Sequence, residues 1–393
     1  MSRPSHRRVT ELERGAGAAL PMDQAAAAVR CCFLIVALAT AFAASPVHAT
    51  KYAGEFLKVP IGARAIGMGA AFTAVADDAT APYWNPAGMI YLPYKEIIPQ
   101  HAEKFGKLVN HDYLGAVMPL GGGASQQSAL GIGIVRLAVD DIPVTPRPGD
   151  LKPGQFLDDG VDGIPNTYDF GEGDGKWEPG ERILQIDLYR ASSSDMALLL
   201  SYARHDGPHW AFGGNVKFIR QSIPDTIPGQ HVTSFGAGLD AGALFMPTDA
   251  VTVGVVVHDL TTTFLSWSNG THEKINPTIA TGAAFNFYPA DKHALTWAVD
   301  GGWGFEGASD SELMMGRVTL DLRTGLEYWY KNTFALRSGI NAKDLTFGAG
   351  VRYKHLGVDY AADLHRFFAA SQKDFPRDTD LDATHLVSAS FSW

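Results

Sequence analysis

From residue 94 to the C-terminus, apolar and polar positions alternate. In the last segment Val387, Ala389, Phe391 and Trp393 fall on one side, and Ser388, Ser390 and Ser392 on the other. Residues 346–354 set Phe347, Ala349, Val351 and Tyr353 against Thr346, Gly348, Gly350, Arg352 and Lys354. From residue 318, Val318, Leu320, Leu322, Leu326, Tyr328 and Tyr330 oppose Asp321, Arg323, Glu327 and Lys331. Successive side chains of a strand point to opposite faces, so this period of two predicts β-structure. Fourteen segments carry it: 94–104, 110–119, 128–138, 194–204, 210–221, 232–246, 250–259, 277–288, 293–303, 318–331, 333–341, 343–354, 355–364 and 383–393. Most are close to the ~10 residues with which a tilted strand crosses a bilayer, and aromatic residues gather near their ends.

The connections alternate as well. With both ends of the chain in the periplasm, the even connections are 120–127, 205–209, 247–249, 289–292, 332 and the junction at 354/355, all short. The odd ones include 139–193, 222–231, 260–276, 304–317 and 365–382, which are long; 105–109 and the turn at 342 are short exceptions. Short turns on one side and long loops on the other are the signature of an outer-membrane barrel. A soluble sandwich or propeller explains alternation but not this asymmetry joined to a terminal aromatic strand. The expectation is an all-β chain: a transmembrane antiparallel β-barrel of about 14 strands over 94–393, preceded by an N-terminal plug. Only closure pairs every strand edge inside lipid.

The N-terminal 49 residues look like an extension and a signal peptide. Phe33–Ala44 is an apolar run of twelve behind Arg30, and Val47-His48-Ala49 follows as a small-residue cleavage site, with the cut expected after Ala49. A membrane-spanning helix needs roughly 20 apolar residues. Met22 is an alternative start. Cys31 and Cys32 both lie in this leader, so the mature chain has no thiol for disulfides or metals. The leader holds five of the 32 Lys and Arg residues and three of the 42 Asp and Glu residues, leaving 27 basic against 39 acidic residues. An acidic exported chain is a poor match to nucleic acid.

Between leader and first strand, residues 50–93 contain GARAIGMGAAFTAVADDATAPYWNPAGM, rich in small residues. Gly67 and Gly69 permit tight turns. Asn85 followed by Pro86 suits an N-cap and first helical turn. Gly67-Met68-Gly69 is no dinucleotide fingerprint, because the third glycine and the strand–helix frame are missing. Over about 40 residues, from Tyr52 to Met89, this stretch resembles the N-terminal signature of the PorV/PorQ-type proteins, relatives of the FadL-like outer-membrane barrels. The resemblance implies a hatch inside a fourteen-stranded barrel in the bacterial outer membrane, with Gly62, Arg64, Gly67, Gly69, Asp77, Asp78, Asn85, Pro86, Ala87 and Gly88 as its motif. Two functions follow from it. One is passive uptake or capture of hydrophobic small molecules such as long-chain fatty acids. The other is a protein-docking role in a type IX-like secretion system, with secretion-system proteins as partners. Membrane lipid is a partner in both.

Other features bear on chemistry. Asp158–Glu181 holds eight acids and one base, Lys176. Glu172, Asp174, Gly175 and Glu181 match positions three, five, six and twelve of a calcium loop, but position one is Phe170. Glu172, Asp174, Glu178 and Glu181 are therefore candidate calcium ligands, against a solvated acidic loop; no other cofactor is required. The polar face of the late strands carries Asp321, Arg323, Glu327, Arg337, Arg352, Asp359 and Asp363, read as paired ions before a selectivity ring. The acidic pair Asp77-Asp78 is expected to meet Arg323, Arg337 or Arg352. In loop 260–276, Phe264, Leu265 and Trp267 are candidates to capture a hydrophobic ligand or to dip into lipid. Thirteen scattered histidines and no nucleophile motif beside one argue against an embedded lipase or protease.

Overall fold

The computed structural model describes residues 53–104, 108–121, 127–144, 151, 153–184, 189–224, 231–305, 313–342, 344–364 and 383–393. The leader, with its expected cleavage after Ala49, lies outside the described residues, as does 365–382.

The strands are β1 (Glu96–Lys104), β2 (Val109–Leu120), β3 (Ser128–Val144), β4 (Tyr189–Asp206), β5 (Trp210–Pro224), β6 (His231–Thr248), β7 (Val251–His258), β8 (Thr263–Trp267), β9 (His272–Ile275), β10 (Thr278–Ala290), β11 (His293–Gly304), β12 (Leu313–Met315), β13 (Val318–Tyr330), β14 (Phe334–Asn341), β15 (Asp344–Tyr353), β16 (Leu356–Leu364) and β17 (Ala383–Ser392). Fourteen of them, all but β8, β9 and β12, form a closed antiparallel barrel. It closes where β17 pairs β1, with Glu96 opposite Ser392 and Ile97 opposite Phe391.

Alternation explains the wall. Leu114, Ile132, Leu200, Phe212, Leu326 and Val387 are exposed on the outside, where lipid takes the place of water. Their neighbours in sequence, Tyr113, Leu199, Glu327 and Leu386 among them, are buried inside. The fourteen expected segments are the fourteen barrel strands. The external passage expected at 139–193 shortens at both ends, because β3 runs on to Val144 and β4 begins at Tyr189.

The stretch 260–276 differs from the expected loop. Thr263–Trp267 and His272–Ile275 are a hairpin, and β8 pairs β6 beyond the end of β7. Ala241 faces Val257, whereas Ala237 faces Phe264. Four residues on β6 therefore span seven on its partner, and the excess forms an excursion at Asp259–Thr262. Asp259 and Thr262 take positive φ there, 54° and 59°.

Residues 53–94 fill the lumen as short turns of helix: η1 (Glu55–Lys58), α1 (Ala63–Gly67), α2 (Ala81–Trp84) and η2 (Pro86–Tyr91). The main core cluster lies between this segment and the wall, joining Met68, Phe72, Trp84, Met89 and Leu92 to Ile98, Val117, Leu244 and several wall alanines. No described helix is long and apolar enough to cross a membrane.

Candidate functional site

The wall holds the lumen segment mainly by its backbone. Asp300 Oδ2 accepts the amides of Phe72 and Thr73, each at 2.8 Å. Glu96 Oε2 accepts Ala79 N at 2.9 Å, Thr346 Oγ1 accepts Gly69 N at 3.0 Å, and Gln100 Oε1 accepts Gly62 N. In return Tyr113 Oη donates to Ala79 O at 2.9 Å, and Asn215 Nδ2 to Pro82 O at 2.7 Å. A segment with little regular structure must place its buried N–H and C=O groups somewhere. Here they go to inward side chains of five strands.

Close approach makes those bonds reachable. A Cβ built on Gly325 of β13 would lie 2.1 Å from Met68 O, and one on Gly339 of β14 would lie 2.2 Å from Gly69 N. Within the segment, Asn85 acts as the N-cap of η2: its Oδ1 accepts Ala87 N at 3.2 Å, and its Nδ2 donates to Thr73 O at 2.9 Å. Pro86, Ala87 and Gly88 are buried in the first turn. Gly88 is pressed against Ala76, with no room for a Cβ.

A chain of ions joins segment to wall. Arg64 donates to Glu327 through Nε and Nη2, both at 2.8 Å, and to Asp77 and Asp78 through Nη1 at 2.5 and 3.2 Å. Glu327 also accepts from Arg337 Nε at 2.7 Å; Arg337 Nη1 reaches Asp359 at 2.9 Å, and Arg352 closes the chain on Asp359. Asp77 and Asp78 thus pair with Arg64 of their own segment and not with Arg323, Arg337 or Arg352. Those wall arginines stand farther along the chain: Arg337 and Arg352 share Glu327 and Asp359, and both lie over the Trp329 ring. Sequence reading missed Trp329, which faces inward with Glu327.

A second cluster braces the excursion in the wall. Lys217 Nζ lies 3.0 Å from Asp240 and 2.8 Å from Asp259, and Asp259 N donates to Asp240 at 2.9 Å. Thr263 donates to Asp259 at 2.5 Å. Lys217 and Asp240 interrupt apolar strands on the inward face, a signal of pairing that did not identify the partners.

Leu265 is fully buried, packed in a cluster with Phe56, Ile61, Tyr113, Val135, Ile219 and Ile275. It is therefore not a surface ligand-capturing residue. Alternation on β8 turns it inward, while Phe264 stays 58% exposed on the outer face. Trp267 is half-buried and donates its indole N–H to Glu273 at 2.9 Å.

Among the described residues no group of three or more His, Cys, Asp or Glu is placed to hold a metal. Carboxylates of the acidic loop bind backbone instead. Glu172 accepts the amides of Asn166 and Tyr168, Asp174 that of Lys176 at 2.8 Å, and Glu181 those of Gly160 and Glu178 at 3.0 and 2.9 Å.

Between segment and wall, at the periplasmic end, lies a cavity of about 180 Å³. The segment contributes Arg64, Ala74, Val75, Asp77 and Tyr91; the wall contributes residues of β6, β7, β10, β11 and β13 and Asn332 of the turn that follows.

No family model matches the sequence, and no curated protein matches it significantly. Solved structures do. The CymD monoaromatic hydrocarbon channel superposes with a TM-score of 0.51 at 11% identity, over 85% of this chain and 98% of that one. The chain has the FadL-like barrel fold. A Pseudomonas aeruginosa FadL homologue gives 0.48 at 12% identity, over 85% and 98% of the two chains. The Pseudomonas putida toluene transporter TodX gives 0.46 at 12%, over 84% and 97%. A closed barrel of this kind with an apolar outer belt belongs in the bacterial outer membrane.

Proposed function

We propose that this protein is a passive outer-membrane channel for hydrophobic small molecules. One observation carries the reading: a FadL-like barrel superposable along 98% of a monoaromatic hydrocarbon channel, with its lumen occupied by an N-terminal segment. A filled lumen blocks water and ions, whose passage needs an open polar path, yet the segment meets the wall partly through apolar contact. Phe56, Ile61, Leu265 and Ile275 line its outer part, and a cavity flanks its periplasmic side. An uncharged compound loses little on entering such surroundings, whereas an ion loses its hydration.

The docking role in secretion has no specific observation in its favour. The test is flux. Purified protein in liposomes should accelerate entry of toluene over protein-free liposomes while leaving potassium leakage low. Equal toluene entry with and without protein would end the reading.

A further inference from the structure

The periplasmic cavity has a chemistry that selects among small hydrophobic molecules, an inference that rests on the channel reading above. Its volume, about 180 Å³, is close to the ~150 Å³ apolar cavity that accepts benzene in an engineered protein. It therefore has room for one ring. Leu244, Met246, Tyr288 and Trp329 supply apolar and aromatic surface.

Its charged groups weigh toward acceptors: Asp77 and Glu327 accept only, while Asn286, Tyr288 and Thr296 both accept and donate. Among the described residues the one cation that lines it, Arg64, is already bonded to three carboxylates, of Asp77, Asp78 and Glu327. The connected ions comprise four acids, Asp77, Asp78, Glu327 and Asp359, and three arginines, Arg64, Arg337 and Arg352, a net charge of −1. Asp77 bonds Arg64 through Oδ1, yet its side chain stays 47% exposed. A carboxylate ligand entering here meets an exposed anion and a saturated cation. A hydroxyl or amino group on a ring meets an acceptor.

We propose that this cavity is a binding station for single-ring aromatic molecules bearing a neutral hydrogen-bond donor, the phenol class, and that it rejects aromatic and fatty carboxylates. Asp77 accepts the ligand's proton donor while the ring rests against Tyr288 and the edge of Trp329, whose ring already carries Arg337 and Arg352.

The test uses the full barrel in lipid nanodiscs and three ligands of one size: phenol, toluene and benzoate. Calorimetric titration at pH 7 should give phenol an affinity about tenfold above both others, the equivalent of one hydrogen bond to a charged acceptor. Asp77→Asn should reduce the preference over benzoate to within about threefold. Ala294→Leu, which narrows the cavity from the wall and leaves the ions in place, should abolish phenol binding. Toluene or benzoate binding as tightly as phenol would overturn the proposal, as would full phenol binding by Ala294→Leu. The liposome flux of toluene separates the two readings: if it persists while phenol shows no preference, the channel stands and the station falls.

Discussion

Arg64 and Glu327 are 263 residues apart in sequence and meet through two parallel hydrogen bonds of 2.8 Å each. One belongs to the segment in the lumen and the other to the wall. Their side chains are 11% and 2% exposed, so water hardly reaches Glu327 and reaches Arg64 only from the cavity it lines. The pair connects the position of the segment to the ion chain of β13, β14, β15 and β16.

Removing one partner of such a pair leaves buried charge uncompensated, at a cost of about 3–5 kcal/mol. Arg64→Ala strips the partner from Asp77 and Asp78, while Glu327 keeps Arg337. The segment should loosen before the barrel unfolds. Planar-bilayer recordings should show larger and more frequent ion-conducting events than wild type, with the heat-modifiable shift of the folded barrel retained. Arg64→Lys should be intermediate, because an ammonium cannot make both parallel bonds. Recordings from Arg64→Ala that match wild type would show that this pair does not fix the segment.

The wall glycines give an independent handle on the same contact. Gly325→Ala places a methyl 2.1 Å from Met68 O, against backbone that cannot turn aside as a side chain does. Overpacking of this kind costs about 1–3 kcal/mol or more. Gly302→Ala is the control: its Cβ would find nothing nearer than 3.8 Å. Gly325→Ala should raise ion conductance and lower the denaturation midpoint, and Gly302→Ala should do neither. Equal behaviour of the two would mean that the segment does not rest on β13.

Much of the wall was legible because lipid and lumen impose opposite demands on alternate residues, as in Val387–Trp393. The hairpin β8–β9 was not read. Its strands are five and four residues long, too short to stand out among loop residues. Yet Asn269-Gly270 lies between them, a strong short-range hairpin signal, while Thr263-Phe264-Leu265-Ser266 sets two apolar residues side by side and so shows no period of two. The N-cap role of Asn85 followed from its place before Pro86. Arg64 as partner of Asp77 and Asp78 did not. Pairing inside a barrel depends on strand tilt and on the path of the segment, neither of which is encoded by local spacing. The same holds for Lys217, whose partners Asp240 and Asp259 come from the next strand and from an excursion in the one beyond.

Depth in the membrane should decide the cost of outward charge. Val387 lies midway along β17 and is 52% exposed; Trp393 ends the chain beside Lys95, with which it exchanges backbone hydrogen bonds of 3.0 and 3.2 Å. An arginine at the bilayer midplane costs about 2–4 kcal/mol, and near the interface about 0–1. Val387→Arg should strongly reduce the yield of folded, heat-modifiable protein, and Trp393→Arg should reduce it only slightly. The reverse order would displace the membrane from the belt assigned to it.

The acidic loop should respond to pH in the direction opposite to most paired carboxylates. Partial desolvation, and after it the carboxylates of Asp174, Glu181 and Asp158, push the Glu178 carboxyl above its ordinary value. The folded loop therefore holds the Glu178 proton more tightly than an unfolded loop would. Linkage then fixes the sign: the stabilising contribution is fully present below the ordinary carboxylate range and is lost as pH rises through the raised value. Glu178 is solvent-accessible, so the effect is confined to the loop. Its neighbours keep the loop in register: Glu181 accepts from Gly160 and Glu178, and Asp158 from Gly173 and Gly175 at 2.8 Å each. Glu178→Gln is neutral at every pH and should make the loop resist proteolysis at pH 7.5 as well as the wild-type loop does at pH 4.5. Cleavage within 153–184, normalised to an unstructured substrate, measures this directly. If wild type and Glu178→Gln are cut at equal rates at pH 7.5, carboxylate crowding at Glu178 does not strain the loop, and its order rests on the amide-bonded carboxylates alone.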